Sequence, residues 1–143
     1  MEEIGSLIRG GVYIAKLYPV KYNEISKLRP VVILNSQNIL NTNPINIFVC
    51  PLSSQSKEDF KHLHLYLKSR DRLEVDSYAL IEHCKSISSE RLIKTNLCVL
   101  STSELDCILE KLFVLLATYC EFCFKNTFKN LSRKIGLHIF ALL

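Results

Sequence analysis

The sequence has no long hydrophobic run and no segment that combines low hydrophobicity with high charge. The apolar stretch at residues 112–124 is too short to span a bilayer and is interrupted by Glu121. The first residues, MEEIGSLIRGG, lack the basic and then apolar regions of a secretory signal peptide. With 143 residues, 48% of them apolar and 22% charged, the chain has the composition of about one globular domain. We therefore expect a folded cytoplasmic protein that does not enter a membrane.

The cysteines lack the loop spacing of a disulfide-stapled secreted domain. Five of the six lie beside apolar residues in patterns typical of core strands or helices, namely Cys50, Cys84, Cys98, Cys107 and Cys120. Cys120 and Cys123 form a lone CxxC motif, and without a second pair this favours buried free thiols over a zinc or redox site. We expect reduced thiols.

Two histidines, His62 and His64, are spaced to share one face of an expected strand. An HxH pair can bind zinc, but no third ligand has a suitable spacing, so the pattern favours structural histidines. We expect no metal and no cofactor.

The net positive charge is small outside the C-terminal end. The net charge is +4, and the residues from Tyr119 onward carry +3 of it. The nearly neutral remainder argues against a broad DNA-binding surface and leaves a local cluster of Lys21, Lys27 and Arg29 for anionic ligands.

Turn signals divide the chain into six expected strands and a C-terminal helix. The strands are expected at residues 12–19, 30–35, 45–52, 60–67, 77–84 and 95–100, with a loop at 36–46 and a single helical turn at 86–92. STSE at 101–104 is a capping box that begins the helix. Its apolar face is expected at Leu105, Ile108, Leu109, Leu112, Leu116 and Tyr119. The expected fold is mainly β with a C-terminal α-helix (α+β), a small, partly closed antiparallel sheet with the helix packed on it.

The order of five motifs resembles the MazF/PemK family of bacterial toxins. These are RGGVY, NEISKLRPVVILN, FVCPLSSQ, DSYALIEHCKSISSERL and the C-terminal helix, over residues 9 to about 118. The resemblance implies an SH3-like barrel, a toxin domain at residues 1–118 and a helical extension of unknown role at 119–143. It also implies a homodimeric, metal-independent endoribonuclease that cuts single-stranded RNA in the bacterial cytoplasm. A cognate antitoxin with an acidic segment would neutralise it, and DNA would be reached only through that antitoxin.

The resemblance also assigns catalytic roles to individual residues. Arg29, in the RP motif, corresponds to the catalytic arginine, and Ser53 stands where the family usually has threonine. Glu24 matches the acidic residue of the preceding loop, where it would act as base or hold Arg29 in place. In another branch of the family the catalytic set is His, Arg and Asp, and here those positions hold Asn23, Leu80 and Glu82. The pairing of Arg29 with a hydroxyl therefore fits this chain better.

Six further residues are expected to bind RNA. They are Lys27, Lys21, Ser54, Gln55, Glu82 and Lys85, with loops 18–28 and 53–59 forming the groove walls. The alternatives are a surface ion pair of Arg29 with Glu24 or Glu82, and a solvated turn at Ser53.

One rival function is a non-catalytic CcdB-like inhibitor of a protein such as gyrase, but that group has a Trp-containing C-terminus and this chain has no Trp. The other is a barrel that binds RNA or peptide without cutting.

Overall fold

The structure, a computed structural model, describes residues 6–17, 28–56 and 58–116. Its strands are β1 (Gly11–Lys16), β2 (Leu28–Ile33), β3 (Asn46–Ser53), β4 (His64–Leu67), β5 (Ser77–Leu80), β6 (Lys85–Ser88) and β7 (Leu92–Val99). Its α-helices are α1 (Gln37–Leu40) and α2 (Thr102–Leu116). Three 3₁₀ turns cover Glu58–Leu63, Ile81–His83 and Ser89–Arg91. The expected extension at 119–143 lies outside the described residues.

The strands form one antiparallel sheet in the order β4-β5-β3-β2-β1-β7, and β6 also pairs with β3. The expected class, mainly β with a C-terminal helix in a small SH3-like barrel, is confirmed. The number of strands is not, since the described residues contain seven rather than six.

The strand expected at 77–84 is broken because β3 changes partners along its length. Asn46–Val49 pair with β6, whereas Leu52 and Ser53 pair with β5. The register shifts by three residues between these two pairings, and the extra residues form the 3₁₀ turn Ile81–His83. Pro51 lies at the change and has no backbone N–H to donate to a ladder. The break moves Glu82 out of a strand and into a turn.

Three other segments differ from the secondary structure that the sequence predicts. The strand expected at 60–67 begins only at His64, because residues 58–63 form a 3₁₀ turn. The Lys111 ammonium of α2 donates a hydrogen bond of 2.8 Å to the His62 carbonyl, so that carbonyl faces the helix. The loop expected at 36–46 contains α1. The helical turn expected at 86–92 is shorter than predicted, because its first residues belong to β6 and only Ser89–Arg91 form a 3₁₀ turn.

Alternating residues of the strands supply two hydrophobic clusters. The cluster under α2 contains Val12, Val32, Leu34, Cys50, Leu52, Ala79, Leu105 and Ile108, among others. The second contains Tyr13, Ala15, Val31, Ile33, Ile47, Val49, Ile87 and Leu92, with Leu40 of α1. Each cluster draws on β1, β2 and β3, which explains why these strands read as nearly continuous apolar runs.

Helix α2 begins as the capping box predicts. The Glu104 amide donates to Ser101 Oγ at 3.2 Å, and the Ser101 amide donates to Glu104 Oε2 at 2.9 Å. Leu105 and Ile108 are buried, whereas Leu116 is 71% exposed, so the expected apolar stripe does not reach the end of the helix. Tyr119 lies outside the described residues. None of the helices in the described part of the chain is long and apolar enough to cross a membrane.

Candidate active site

Arg29 and Ser53 lie near each other at one end of the central strands. β2 and β3 are antiparallel with Val31 opposite Pro51, and Arg29 and Ser53 each lie two residues beyond this paired position on their strands. Both residues line the same two cavities. Both residues are half-buried. The motif order had predicted this pair, and the fold brings it together.

The Ser53 side chain is held by its own turn. Its Oγ accepts a hydrogen bond of 3.2 Å from the Gln55 amide. A hydroxyl that accepts in this way still has its own hydrogen to donate. Ser53 can therefore donate to an anionic ligand while the backbone fixes its oxygen.

Two cavities adjoin this pair, and both are lined by Arg29, Ser53 and Gln55. The larger, about 580 Å³, is also lined by Ser54, Arg72, Glu74 and Ser77. The smaller, about 400 Å³, is also lined by His64, Glu82, His83 and Lys85. Six residues predicted from the sequence are thus grouped at these cavities, namely Arg29, Ser53, Ser54, Gln55, Glu82 and Lys85. Sequence reasoning missed Arg72, which lies outside the motifs, and His83, which lies within DSYALIEHCKSISSERL but was given no role.

The other three predicted site residues cannot be placed in this way. Glu24, Lys21 and Lys27 lie outside the described residues, as does most of the expected groove-wall loop 18–28. Their roles stay predictions.

Arg29 does not form the ion pair with Glu82 that was considered as an alternative. Within the described ranges no carboxylate is within ion-pair distance of the Arg29 guanidinium. Glu82 is paired with His64 instead. The alternative pairing of Arg29 with Glu24 stays open, because Glu24 is not described.

His64 lies on β4 as the alternation predicted, but His62 does not share that strand. His62 lies on the 3₁₀ turn and is exposed, whereas the His64 side chain is only 2% exposed. His64 Nε2 lies 2.7 Å from Glu82 Oε1, and His64 Nδ1 lies 2.6 Å from Ser56 Oγ. A structural histidine was expected here, but its partners were not, because Glu82 is 18 residues away and reaches His64 only through the broken strand.

Glu82 has one oxygen without a partner. The Glu82 side chain is 17% exposed, and its Oε2 is buried with no hydrogen bond to any described residue. Leaving a buried acceptor unsatisfied costs about 1 to 3 kcal/mol, and more when the group is charged. The residue as a whole lines the same cavity as Arg29, while His64 holds its other oxygen.

Two thiols, Cys50 and Cys84, are joined by a side-chain hydrogen bond. The hydrogen bond with the Cys84 side chain, followed by burial, raises the pKa of the Cys50 thiol well above its ordinary value. The same hydrogen bond lowers the pKa of Cys84. Cys50, Cys84, Cys98 and Cys107 are free thiols, and Cys120 and Cys123 lie outside the described residues.

Metal-ligating side chains do not cluster in the part of the chain that the structure describes. No group of three or more His, Cys, Asp or Glu residues there has the geometry to hold an ion. The polar groups at the two cavities are cations, hydroxyls, an amide, Glu74, His83 and the paired His64 and Glu82.

Comparison with known proteins gives one family match and several similar folds. Residues 8–116 match the family described as PemK-like, MazF-like toxin of type II toxin-antitoxin system. MazF from Deinococcus radiodurans is 23% identical with a TM-score of 0.64, covering 80% of this chain and 99% of that one. A chain of the MazE-MazF complex from the same organism is 21% identical with a TM-score of 0.63, covering 80% of this chain and 99% of that one. A mycobacterial endoribonuclease in complex with its cognate antitoxin is 16% identical with a TM-score of 0.58, covering 79% of this chain and 99% of that one. At these identities the solved structures establish the fold.

Proposed function

We infer the function from one premise: this chain belongs to the PemK-like, MazF-like toxin family of type II toxin–antitoxin systems. We propose that it is a metal-independent, sequence-selective endoribonuclease that cuts single-stranded RNA, including mRNA. The products would be a 2′,3′-cyclic phosphate and a 5′-hydroxyl. The observation that carries the proposal is that Arg29 and Ser53 line the same two cavities at the ends of adjacent strands.

The chemistry requires little from the protein because RNA supplies its own nucleophile. The ribose 2′-oxygen attacks the adjacent phosphorus, so the protein must remove one proton, stabilise the phosphorane and help the 5′-oxygen leave. Arg29 suits the second task, since its planar guanidinium stays charged and offers two parallel donors to phosphate oxygens. Removing a donor of this kind typically raises the barrier by about 3 to 4 kcal/mol.

Ser53 would donate its hydroxyl hydrogen to a phosphate oxygen while the Gln55 amide holds Oγ in place. Lys85 would attract the RNA backbone, and Ser54 and Gln55 would contact phosphate or base edges. Glu24, the acidic residue of the preceding loop, would either remove the proton or orient Arg29.

The expected substrate is unpaired RNA, since a loop-lined groove can read base edges that a duplex hides. The expected protein partners are a second copy of the chain and a cognate antitoxin whose acidic segment would bind the cations that otherwise bind phosphate. DNA would be contacted only through the antitoxin, and the site of action would be the bacterial cytoplasm. Similarity to MazF folds and to an endoribonuclease supports this reading over a gyrase inhibitor.

The test is cleavage of end-labelled single-stranded RNA in EDTA by wild type and by Arg29→Ala. We expect wild type to give 2′,3′-cyclic phosphate ends, and Arg29→Ala to cut about 100- to 1,000-fold more slowly. Lys94→Ala is the matched control, because Lys94 is an exposed cation that lines neither cavity. Intact RNA with wild type, together with inhibition of gyrase, would favour the protein-binding alternative. Equal rates for wild type and Arg29→Ala would remove Arg29 from the mechanism.

A further inference from the structure

Two tyrosines form a pair at one edge of the sheet. Tyr66 of β4 lies directly opposite Tyr78 of β5, and their ring centroids are 5.7 Å apart with the rings inclined at 61°. Aromatic pairs prefer this edge-to-face arrangement. β4 is the last strand at its end of the described sheet, and Tyr66 is 51% exposed. The pair therefore presents aromatic surface to solvent.

The pair lies in line with the hydroxyl of the candidate active site. Tyr78 is directly opposite Ser53 of β3, as well as opposite Tyr66 of β4. Directly opposed residues of an antiparallel sheet point to the same face, so Ser53, Tyr78 and Tyr66 form one row across three strands. Neighbouring strands are about 4.8 Å apart, so the row spans about 10 Å. A chain-like ligand held at Ser53 needs to extend only this far to reach both rings.

The row lies on the same face of the sheet as the wall of the smaller cavity. His64 is opposite Leu80, and both line the cavity of about 400 Å³ together with Ser53. His64 and Tyr66 are two residues apart on one strand and so share a face. Leu67 points the other way, into the cluster under α2. The tyrosines line neither cavity, and their rings extend this face beyond the smaller one.

Tyr66 is held in position without a ligand. Its hydroxyl donates a hydrogen bond of 2.9 Å to Asp76 Oδ2, and Asp76 Oδ1 accepts one of 2.8 Å from the Ser69 amide. A ring that is already anchored loses little freedom when a flat ligand stacks on it. Because Asp76 is an anion, this end of the row is unsuited to phosphate and better suited to an uncharged base.

We propose that Tyr66 and Tyr78 form a stacking platform for an unpaired nucleobase of the RNA that the active site cuts. This rests on the proposed function, since the RNA would be held at Arg29 and Ser53 and continue along the row. Proteins that bind single strands combine cations along the backbone with aromatic rings on which bases stack. Here Arg29 and Lys85 supply the cations at the smaller cavity, and the tyrosines supply the rings beside it. Because every base has a face that can stack, the platform adds affinity without selecting a sequence.

The test is an abasic scan of the bound RNA. The cut site of wild type is first mapped by cleavage. The probe is a fluorescein-labelled RNA of about 12 nucleotides, within the size range of single-strand sites, with an uncleavable 2′-deoxy residue at the cut site. One base is removed at a time. We expect removal at one or two positions beside the cut site to weaken binding to wild type about 5- to 150-fold, the range for stacking on one aromatic side chain.

Tyr66→Ala completes a double-mutant cycle with the abasic RNA. The variant should bind the intact RNA about 5- to 150-fold more weakly than wild type. Removing the stacked base should then cost it less than about 3-fold, because ring and base act as a unit. Tyr66→Phe retains the ring and should bind more tightly than Tyr66→Ala. Ile45→Ala is the matched control and should bind like wild type, since Ile45 is 79% exposed and lines neither cavity.

A second measurement uses the wild-type protein alone and serves if Tyr66→Ala does not fold. The base identified by the scan is replaced by 5-iodouracil, the complex is irradiated, and the attached peptide is identified by mass spectrometry. A ring stacked on the excited base is the group placed to react with it. We expect attachment at Tyr66 or Tyr78.

The outcomes that overturn the inference differ from those that overturn the proposed function. If wild type neither binds nor cuts single-stranded RNA, both fail. If wild type binds RNA without cutting it, the proposed function fails, and the scan on unmodified RNA still decides the platform. If wild type cuts RNA but every abasic RNA loses as much affinity for Tyr66→Ala as for wild type, the pair only stabilises the sheet or meets a protein partner, and the inference alone is wrong. Attachment of iodouracil only to other peptides also contradicts it.

Discussion

At the scale of single residues, Ser53 is a predicted catalytic residue that stands where the resemblance implies threonine. Its Oγ is held by the Gln55 amide and keeps a hydrogen to donate. Serine lacks the methyl group with which threonine restricts rotation about χ1. The hydroxyl is therefore present but less firmly oriented than a threonine hydroxyl would be.

This difference predicts that Ser53→Thr speeds RNA cleavage and that Ser53→Ala slows it. Restricting the rotamer should raise the single-turnover rate about 2- to 5-fold, because less rotational freedom is lost when the hydroxyl meets phosphate. Removing the hydroxyl should lower the rate about 10- to 100-fold through the lost donor. A Ser54→Thr variant is the matched control, as Ser54 is exposed and lines only the larger cavity. A slower Ser53→Thr enzyme would mean that the added methyl group obstructs the substrate.

The residue pairs differ in how far the sequence could reveal them. Arg29 and Ser53 come from motifs on neighbouring strands, so their proximity followed once the strands were recognised. His64 and Glu82 are joined across 18 residues, and their contact depends on the register shift beside Pro51. No local periodicity encodes that shift, so Glu82 was expected on a strand and its pairing with His64 was missed.

At the scale of elements, the helix was more predictable than the strands it packs on. A capping box uses side chains three residues apart, so its geometry is determined locally, and both of its hydrogen bonds are present. The tertiary partner of Glu104 was not predictable. Arg70, 34 residues away, donates to both carboxylate oxygens through its two terminal nitrogens.

Glu104 gives a pH-dependent stability prediction. Hydrogen bonding from Arg70 holds the pKa of Glu104 below its ordinary value of 4.5. A carboxyl with a lowered folded-state pKa stabilises the protein above the unfolded-state pKa, and this contribution is lost as the pH falls through the folded-state pKa. Glu104→Gln should therefore lower the free energy of unfolding by about 1 kcal/mol at pH 7, since solvent screens a partly exposed ion pair. The difference from wild type should shrink below about pH 4.5.

Glu110 provides a control of opposite sign on the same helix. Burial, followed by the charge of Asp106, raises the pKa of Glu110, so its ionised form is disfavoured in the folded protein. Glu110→Gln should not lose stability at pH 7. Urea unfolding of both variants between pH 3 and pH 7 measures the difference. A loss for Glu104→Gln that is the same at every pH would show that the ion pair is not its cause.

At the scale of the whole molecule, the larger cavity adjoins the hydrophobic core, since Leu52 and Leu73 belong to both. Helix α2 covers one hydrophobic cluster, and the predicted catalytic pair lies at the strand ends, where two cavities open. The fold class followed from composition, turn signals and motif order, because those depend on how much apolar surface each segment must bury. Strand number and partner changes did not, because they depend on contacts between distant segments.

Because the net charge of the molecule is small, the contribution of a single lysine to the salt dependence of RNA binding can be measured. If Lys85 neutralises one RNA phosphate, Lys85→Ala should reduce the slope of log Kd against log salt concentration by about 0.7, the value for one contact with a single strand. The measurement is fluorescence anisotropy with an uncleavable 2′-deoxy-substituted RNA at about 50 to 300 mM salt. Lys94→Ala removes the same charge from an exposed position outside both cavities and should leave the slope unchanged. Equal slopes for Lys85→Ala and Lys94→Ala would show that the cavity lysine does not contact the RNA backbone.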